Sequence, residues 1–172
     1  MGGYLGKILR VDLSKGKITT EELKEEIQRK YLGGSGLAAR ILYDELKPGI
    51  DPLGPDNKLV FATGPLTGTN APSSGRHLVA AKSPLTGYWG EATSGGFWGA
   101  ELKFAGFDAV VVEGRSEEPV FLWIKDGEAE LKDAGQIWGK NVYQTEDMIR
   151  EMLGDEKIKV SSIGPAGEKL VR

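Results

Sequence analysis

No cysteine occurs among the 172 residues of the chain, which excludes disulfides, thiolate nucleophiles, and cysteinyl zinc or iron–sulfur ligation within it. His77 is its single histidine, so a two-histidine metal centre is excluded as well. No apolar run approaches the length needed to span a bilayer, and the opening MGGYLGKILRVDL lacks the apolar core of a secretory signal. A cytoplasmic location without a membrane partner is the expectation. Neither sign of charge dominates: 22 basic residues face 25 acidic ones, a formal charge of −3, so no broad footprint for nucleic acid is expected. The phosphate loop G-x-x-x-x-G-K-[ST] is absent, which removes the P-loop NTPases. No two carboxylates stand out as an acid and base pair, and no residue is nominated as catalytic.

Glycine, in contrast, is plentiful, with 25 residues. Much of it gathers in residues 57–114, NKLVFATGPLTGTNAPSSGRHLVAAKSPLTGYWGEATSGGFWGAELKFAGFDAVVVEG. This stretch reads as strand, glycine-rich loop, strand, glycine-rich loop, helix and strand. Ser94, Gly95, Gly96 and Gly99 are expected to open the helix, where unpaired amides and the positive end of the dipole would favour an anion. Arg76 lies just upstream, and its guanidinium fork suits phosphate. A phosphate-bearing ligand over this segment is the working expectation. Trp89 and Trp98 flank the loop, either as core filling or as a wall beside a planar ring. His77, inside a predicted strand, is expected to pack.

Around this centre the chain reads as α+β. Leu9, Val11 and Leu13 alternate into a Ser14-Lys15-Gly16 turn and a short strand at Ile18. Thr19 and Glu22 have the spacing of a capping box for a three-turn helix carrying Leu23, Ile27 and Tyr31. A second helix is expected after Gly36, with Leu37, Ala38, Ile41, Leu42 and Leu46 inward, stopped by Lys47-Pro48-Gly49. PVFLWIK and the strand after Asp126-Gly127 form a hairpin. Met148, Ile149, Met152 and Leu153 line a helix that Gly154 ends. IKVSSIGPAGEKLVR reads as a strand running into a Gly-Pro loop.

Two patterns carry less. Gly34, Gly36 and Ala39 match G-x-G-x-x-A, but the residues before them read as helix where a dinucleotide fold needs a strand, so a joint between helices is the better reading. PLTG recurs at residues 65–68 and 84–87, and a strand exit into Gly-Pro recurs at residues 60–65 and 160–165, which suggests duplicated halves.

The motifs GPLTGTNAPSSGR, KSPLTG, SGGFWGAELKFAGFDAVVVEG and SIGPAGE, in this order, resemble the N-terminal domain of the tungsten-containing aldehyde ferredoxin oxidoreductases, and the likeness runs from GKILRVDLS to GPAGEKLV. The resemblance implies a base of two β-sheets in related halves with a few flanking helices. Over it would lie a tungsten bis-molybdopterin held through its dithiolene sulfurs, without a protein cysteine. Arg76 falls on an arginine that contacts the pterin, and Thr93, Ser94, Gly95 and Gly96 fall on an Asn-Ser-Gly-Gly loop whose first and third positions touch the cofactor. A magnesium ion bridging the pterin phosphates would take the backbone carbonyl of Thr93, which stands where asparagine is usual. The implied reaction is oxidation of a small aldehyde to a carboxylic acid, with electrons passing through a four-iron four-sulfur cluster to ferredoxin. The cluster's cysteines and the acidic and histidine residues near the metal belong to further domains absent from residues 1–172. These residues are therefore expected to form one cofactor-cradling domain, inactive alone, whose partners are the remaining domains, with a homo-oligomer open. A stand-alone phosphate- or nucleotide-binding module and a noncatalytic assembly domain are the competing readings.

Overall fold

The computed structural model describes residues 3–171. The first hairpin joins β1 (Lys7–Asp12) to β2 (Lys17–Glu22) in a continuous antiparallel register from Lys7↔Glu22 to Asp12↔Lys17. β1 also pairs in parallel with β6 (Ala109–Glu113), and β6 pairs antiparallel with β3 (Lys58–Thr63). β4 (His77–Lys82) and β5 (Trp89–Ser94) complete a six-stranded sheet of order β2-β1-β6-β3-β4-β5. Val60, Val110 and Val111 are almost fully enclosed, as central strands covered on both faces should be.

One face of this sheet is covered by α1 (Glu25–Tyr31) and α2 (Gly34–Glu45), whose Leu37, Ala38, Ile41 and Leu42 bury against Ile8, Val60, Ala62, Leu78, Ala80 and Val111. The opposite face packs Leu9, Val11 and Val110 against Leu102 of α3 (Trp98–Phe104), against Phe107, and against a second sheet of two strands, β7 (Val120–Lys125) and β8 (Glu128–Asp133). Asp126 and Gly127, both with positive φ, make the tight turn between these two strands. Behind the hairpin lies α4 (Val142–Leu153), started by a capping box between Asn141 and Gln144 and closed by Gly154 in the left-handed region. A five-residue helix, α5 (Gly164–Glu168), follows. The α+β class and the two sheets agree with the sequence reading, although the sheets are unequal.

Local expectations are overruled where strand pairing is present and also where it is missing. Thr19 and Glu22 cap no helix; both lie in β2, because pairing with β1 continues to Glu22 and the Leu23 amide still donates to the Gly6 carbonyl at 2.9 Å. The helix starts two residues after Leu23, and buried Gln28 reaches back to the Leu23 carbonyl at 2.7 Å. Residues 158–163 form no strand, since they find no backbone partner among the described residues. The Gly-Pro echo accordingly ends a strand at Gly64 but begins a helix at Gly164. Leu32 and Gly33 form the joint between α1 and α2, which begins at Gly34 and not after Gly36, and a Cβ on Gly33 would lie 2.5 Å from the Thr63 carbonyl oxygen.

Candidate functional site

The loop leaving β3 and the turn leaving β5 meet at one corner of the large sheet. Gly75 touches Gly96 so closely that a Cβ would stand 2.6 Å from its carbonyl oxygen. Gly99 seats α3 on the start of β4, where a Cβ would come 3.1 Å from that of His77. Bare backbone is therefore needed at Gly75 by the fold itself, and at Gly99 a side chain would have to push its neighbours aside by a few tenths of an ångström. At Gly95 and Gly96 the same added atom would meet nothing within 4 Å, so this turn faces open space.

Two expected site residues are joined here: Arg76 Nη1 donates to Thr93 Oγ1 at 3.0 Å, across the β4–β5 pair and at the surface. The backbone of Thr93 is free as well. Ser83 N–H donates to the Tyr88 carbonyl at 2.7 Å, so Ser83 and Tyr88 are a hydrogen-bonded pair, and alternation along the register makes Leu78↔Thr93 a non-hydrogen-bonded one. Asn57 confirms the parity by bonding the backbone of Lys82, which therefore points away from β5. The Thr93 carbonyl and amide consequently project from the open edge of the sheet. Next to it, the Gly95 and Gly96 amides donate to no described backbone or side-chain acceptor. Among the described residues, no three acidic or histidine side chains converge to hold a metal ion. The oxygen offered to a cation at this corner is a backbone carbonyl.

The expected helix start is corrected. Ser94 ends β5, Gly96 has a φ of +83°, and α3 begins only at Trp98, after Phe97, which gives no side-chain cap. Sequence periodicity missed β5 altogether, because WGEATS is exposed on both faces and carries no apolar alternation. Trp98 is core, tilted against Phe61 at 5.3 Å and His77 at 4.7 Å between ring centroids. Trp89 instead lines a shallow apolar cleft of about 610 Å³ beside α2 with Tyr43 and Tyr88.

A sequence profile described as the aldehyde ferredoxin oxidoreductase N-terminal domain matches residues 8–172. The chain belongs to this family. It is 56% identical, over all 172 residues, to a tungsten-containing aldehyde ferredoxin oxidoreductase of Pyrococcus furiosus, and 55% identical to that of Pyrococcus horikoshii. It is 36% identical to the WOR-like subunit of an aliphatic sulfonate oxidoreductase of Pyrococcus furiosus. A solved active-site complex, BamBC of benzoyl coenzyme A reductase with 1,5-dienoyl-CoA, superposes on 96% of the chain with a TM-score of 0.95 and 38% identity. The chain spans 28% of the length of the two aldehyde ferredoxin oxidoreductases and 25% of that solved chain. In these relatives the matching domain thus forms part of a larger oxidoreductase.

Sequence reasoning missed the supports beneath the family's glycine loops. Lys103 and Asp108 form an ion pair that is 5% and 2% exposed. Asp108 also accepts from the amides of Leu5 at 2.9 Å and Gly6 at 2.7 Å, while Lys103 donates to the Gly3 carbonyl at 2.6 Å. The Asp108 carbonyl receives both the amide and the hydroxyl of Thr63, at 3.0 and 2.8 Å. This one node therefore ties the N-terminal strand and α3 to the end of β3, where the 64–76 loop departs. At the far end of the sheet Glu45 accepts a two-pronged bond from Arg10, at 2.7 and 2.9 Å, and lies 3.2 Å from Lys58. Burial pushes the Glu45 carboxyl up, but the bonds and charges of Arg10 and Lys58 together outweigh it and hold it below the usual value. Burial pushes the His77 imidazole down, and its Nδ1 is enclosed without a partner among the described residues. The signal for Lys103 and Asp108 was their presence in an otherwise apolar run, LKFAGFDAVVV, which favours a pair over two isolated charges.

Proposed function

We propose that residues 1–172 are a cofactor-cradling domain for a tungsten bis-molybdopterin, in a cytoplasmic enzyme that oxidises aldehydes to carboxylic acids and delivers the electrons to ferredoxin. The observation that carries this reading is the corner where Arg76 is joined to Thr93 beside the unencumbered Gly95–Gly96 turn. The residues present suit the group. Arg76 is a surface cation with donors to spare for a pterin phosphate. The Gly95 and Gly96 amides give neutral donors with no side chain in the way. The outward Thr93 carbonyl would provide a hard oxygen for a magnesium ion accompanying the cofactor's phosphates. Threonine in place of the usual asparagine keeps that carbonyl and turns its hydroxyl to orient Arg76.

When bound, the cofactor would supply the two-electron oxidation chemistry at its metal, and this domain would hold and screen it. A four-iron four-sulfur cluster, the aldehyde pocket and the ferredoxin contact would be contributed by the remaining domains, so the 172-residue chain alone would show no aldehyde-dependent turnover. Arg76→Ala in the larger enzyme should lower cofactor retention by about 1.5–3 kcal/mol, or roughly tenfold or more in affinity. Gly95→Val should exclude the ligand sterically, yet leave the apo fold intact, since its Cβ meets nothing and its φ is outside the left-handed region. Tungsten and pterin content on purified protein, beside thermal unfolding of the apo form, gives the readout. Full loading of both variants would overturn the cradle, and lost apo stability without selective loss of cofactor would favour an assembly role.

A further inference from the structure

β4 begins at His77, and the residue just before it carries the guanidinium of the corner. Where Arg76 sits is therefore set by how the loop of residues 64–76 closes onto the sheet. Thr67 is the one buried residue of that loop, 6% exposed, and it is polar. A hydroxyl so placed has to be bonded. Its Oγ1 accepts from the Gly64 amide at 3.1 Å and donates to the Arg76 carbonyl at 3.0 Å, so its single proton and an acceptor site are both used.

The register gives these two bonds their meaning. β3 and β4 pair as far as Thr63↔His77. The alternation that makes Leu78↔Thr93 a non-hydrogen-bonded pair makes His77↔Ser94 a bonded one, so the His77 backbone groups turn toward β5. The Arg76 carbonyl accordingly turns toward β3, where the next partner in register is Gly64. A ladder continued by one step would bond the Gly64 amide to the Arg76 carbonyl directly. Thr67 Oγ1 instead stands between them and bonds both, so its hydroxyl is spliced into the ladder where the loop leaves. The loop holds that hydroxyl in place: the Thr67 amide donates to the Gly64 carbonyl and the Gly68 amide to the Ser74 carbonyl, each at 3.1 Å. Gly68 lies against α3, where an added Cβ would come 3.5 Å from the Ala100 Cα.

We propose that Thr67 is the positioning residue for Arg76: its hydroxyl extends the β3–β4 ladder by one step and fixes the backbone from which the guanidinium reaches Thr93 and a phosphate of the bound cofactor. The inference rests on the cofactor reading above for the ligand, although the relay itself does not. The second PLTG shows what is particular to the first. Gly68 and Gly87 share a positive φ, +77° and +74°, so the two turns have the same bend. Thr86, however, is exposed, and its Oγ1 accepts from the nearby Tyr88 amide at 3.2 Å and bonds nothing across the sheet among the described residues. One tetrapeptide thus makes a relay at the Arg76 end of β4 and an ordinary turn at the other.

Thr67→Val keeps the shape of the side chain and removes both bonds, whereas Thr67→Ser keeps the relay. In the larger enzyme, Thr67→Val should release tungsten and pterin on dilution roughly three- to tenfold faster, the effect of one or two lost hydrogen bonds, and Thr67→Ser should stay within about twofold of wild type. Wild-type release from Thr67→Val, or equal losses from both variants, would overturn the inference. A double-mutant cycle gives the readout that a merely structural role would not move: on an Arg76→Ala background, Thr67→Val should change release by less than about twofold. The same factor in both backgrounds would overturn it. Hydrogen exchange of the apo form separates the relay from the fold as a whole, since peptides of residues 64–76 should exchange faster in Thr67→Val while those of β6 keep their rate. Equal acceleration in β6 would make Thr67 a general stabiliser and overturn the inference. Wild-type release from Arg76→Ala would overturn the cradle reading and this inference with it, whereas faster release from Arg76→Ala beside wild-type release from Thr67→Val would overturn this inference alone.

Discussion

The two edge strands of the large sheet have the same exposure along their length, with only the second residue of each drawn partly inward. Their chemistry differs. β2 reads KITTEE, with charges at both ends that keep its open edge solvated and unwelcoming to another strand. β5 reads WGEATS, with one charge, two small apolar or absent side chains and an aromatic. Behind β2 the charge continues into the cluster of Arg10, Glu21, Glu45 and Lys58, whereas β5 runs into a bare glycine turn beside Arg76. Equal exposure therefore does not mean equal purpose. On the reading proposed above, the densely charged edge is the one left to water, and the edge with a single charge beside unencumbered backbone is the one the cofactor side of the domain would cover.

The largest effect should come from the node between the edges. Lys103→Met leaves the Asp108 carboxylate in the core without its cation, which should cost about 3–5 kcal/mol in urea unfolding. A loss below about 1 kcal/mol would show that the amides of Leu5 and Gly6 satisfy Asp108 unaided, and that the corner at β5 does not lean on this pair.

Edge chemistry gives the next test. The isolated chain should self-associate through β5, and Ala92→Lys should restore a monomer in sedimentation, by the charge that already protects β2. Thr20→Lys, at the opposite edge, should change nothing. Equal responses at the two edges would abolish the distinction drawn between them.

The two ends should also differ in pH dependence. His77, near β5, has its folded pKa below the unfolded value of about 6.5, so the unfolded chain takes up the proton first and stability falls as pH drops below that value. His77→Phe should remove this part of the slope. Glu45, behind β2, is also depressed, so its contribution is complete above the unfolded value of about 4.3 and is lost only as pH falls toward its folded value. Denaturation curves between pH 7.5 and 3.5 would separate the two windows, and a wild-type slope in His77→Phe between pH 6.5 and 5 would remove the imidazole as its source.

The smallest effect is expected where the charge only decorates the surface. Glu25→Ala breaks the exposed i,i+4 pair with Arg29 and should cost about 0.3–0.5 kcal/mol, less than any change above in the same assay.

Much of the fold was legible wherever the signal is local. The β1–β2 turn, the Asp126-Gly127 hairpin, the apolar stripe of α2 and the Gly154 stop of α4 each rest on residues a few positions apart, where steric preference acts without help from the rest of the chain. Family membership was legible too, through long motifs kept in one order. Arg76, Gly95 and Gly96 could be singled out by residue type, and Thr93 through the family resemblance, before their arrangement was known; that they hold a ligand is the proposal made above.

What the sequence could not decide depends on partners far along the chain. A capping-box pattern at Thr19 and Glu22 lost to β1, because the strand partner satisfies the backbone groups of alternate residues along the whole run from Lys17 to Glu22. β5 exists only because β4 lies beside it, and its register alone turns the Thr93 carbonyl outward. Lys103 and Asp108 are five residues apart, but their worth lies in reaching Gly3, Leu5, Gly6 and Thr63. Residue types fixed the family and the chemistry available at the site. Which of those groups point into open space, and which into the protein, was decided by hydrogen bonds closing over dozens of residues, and no local propensity encodes them.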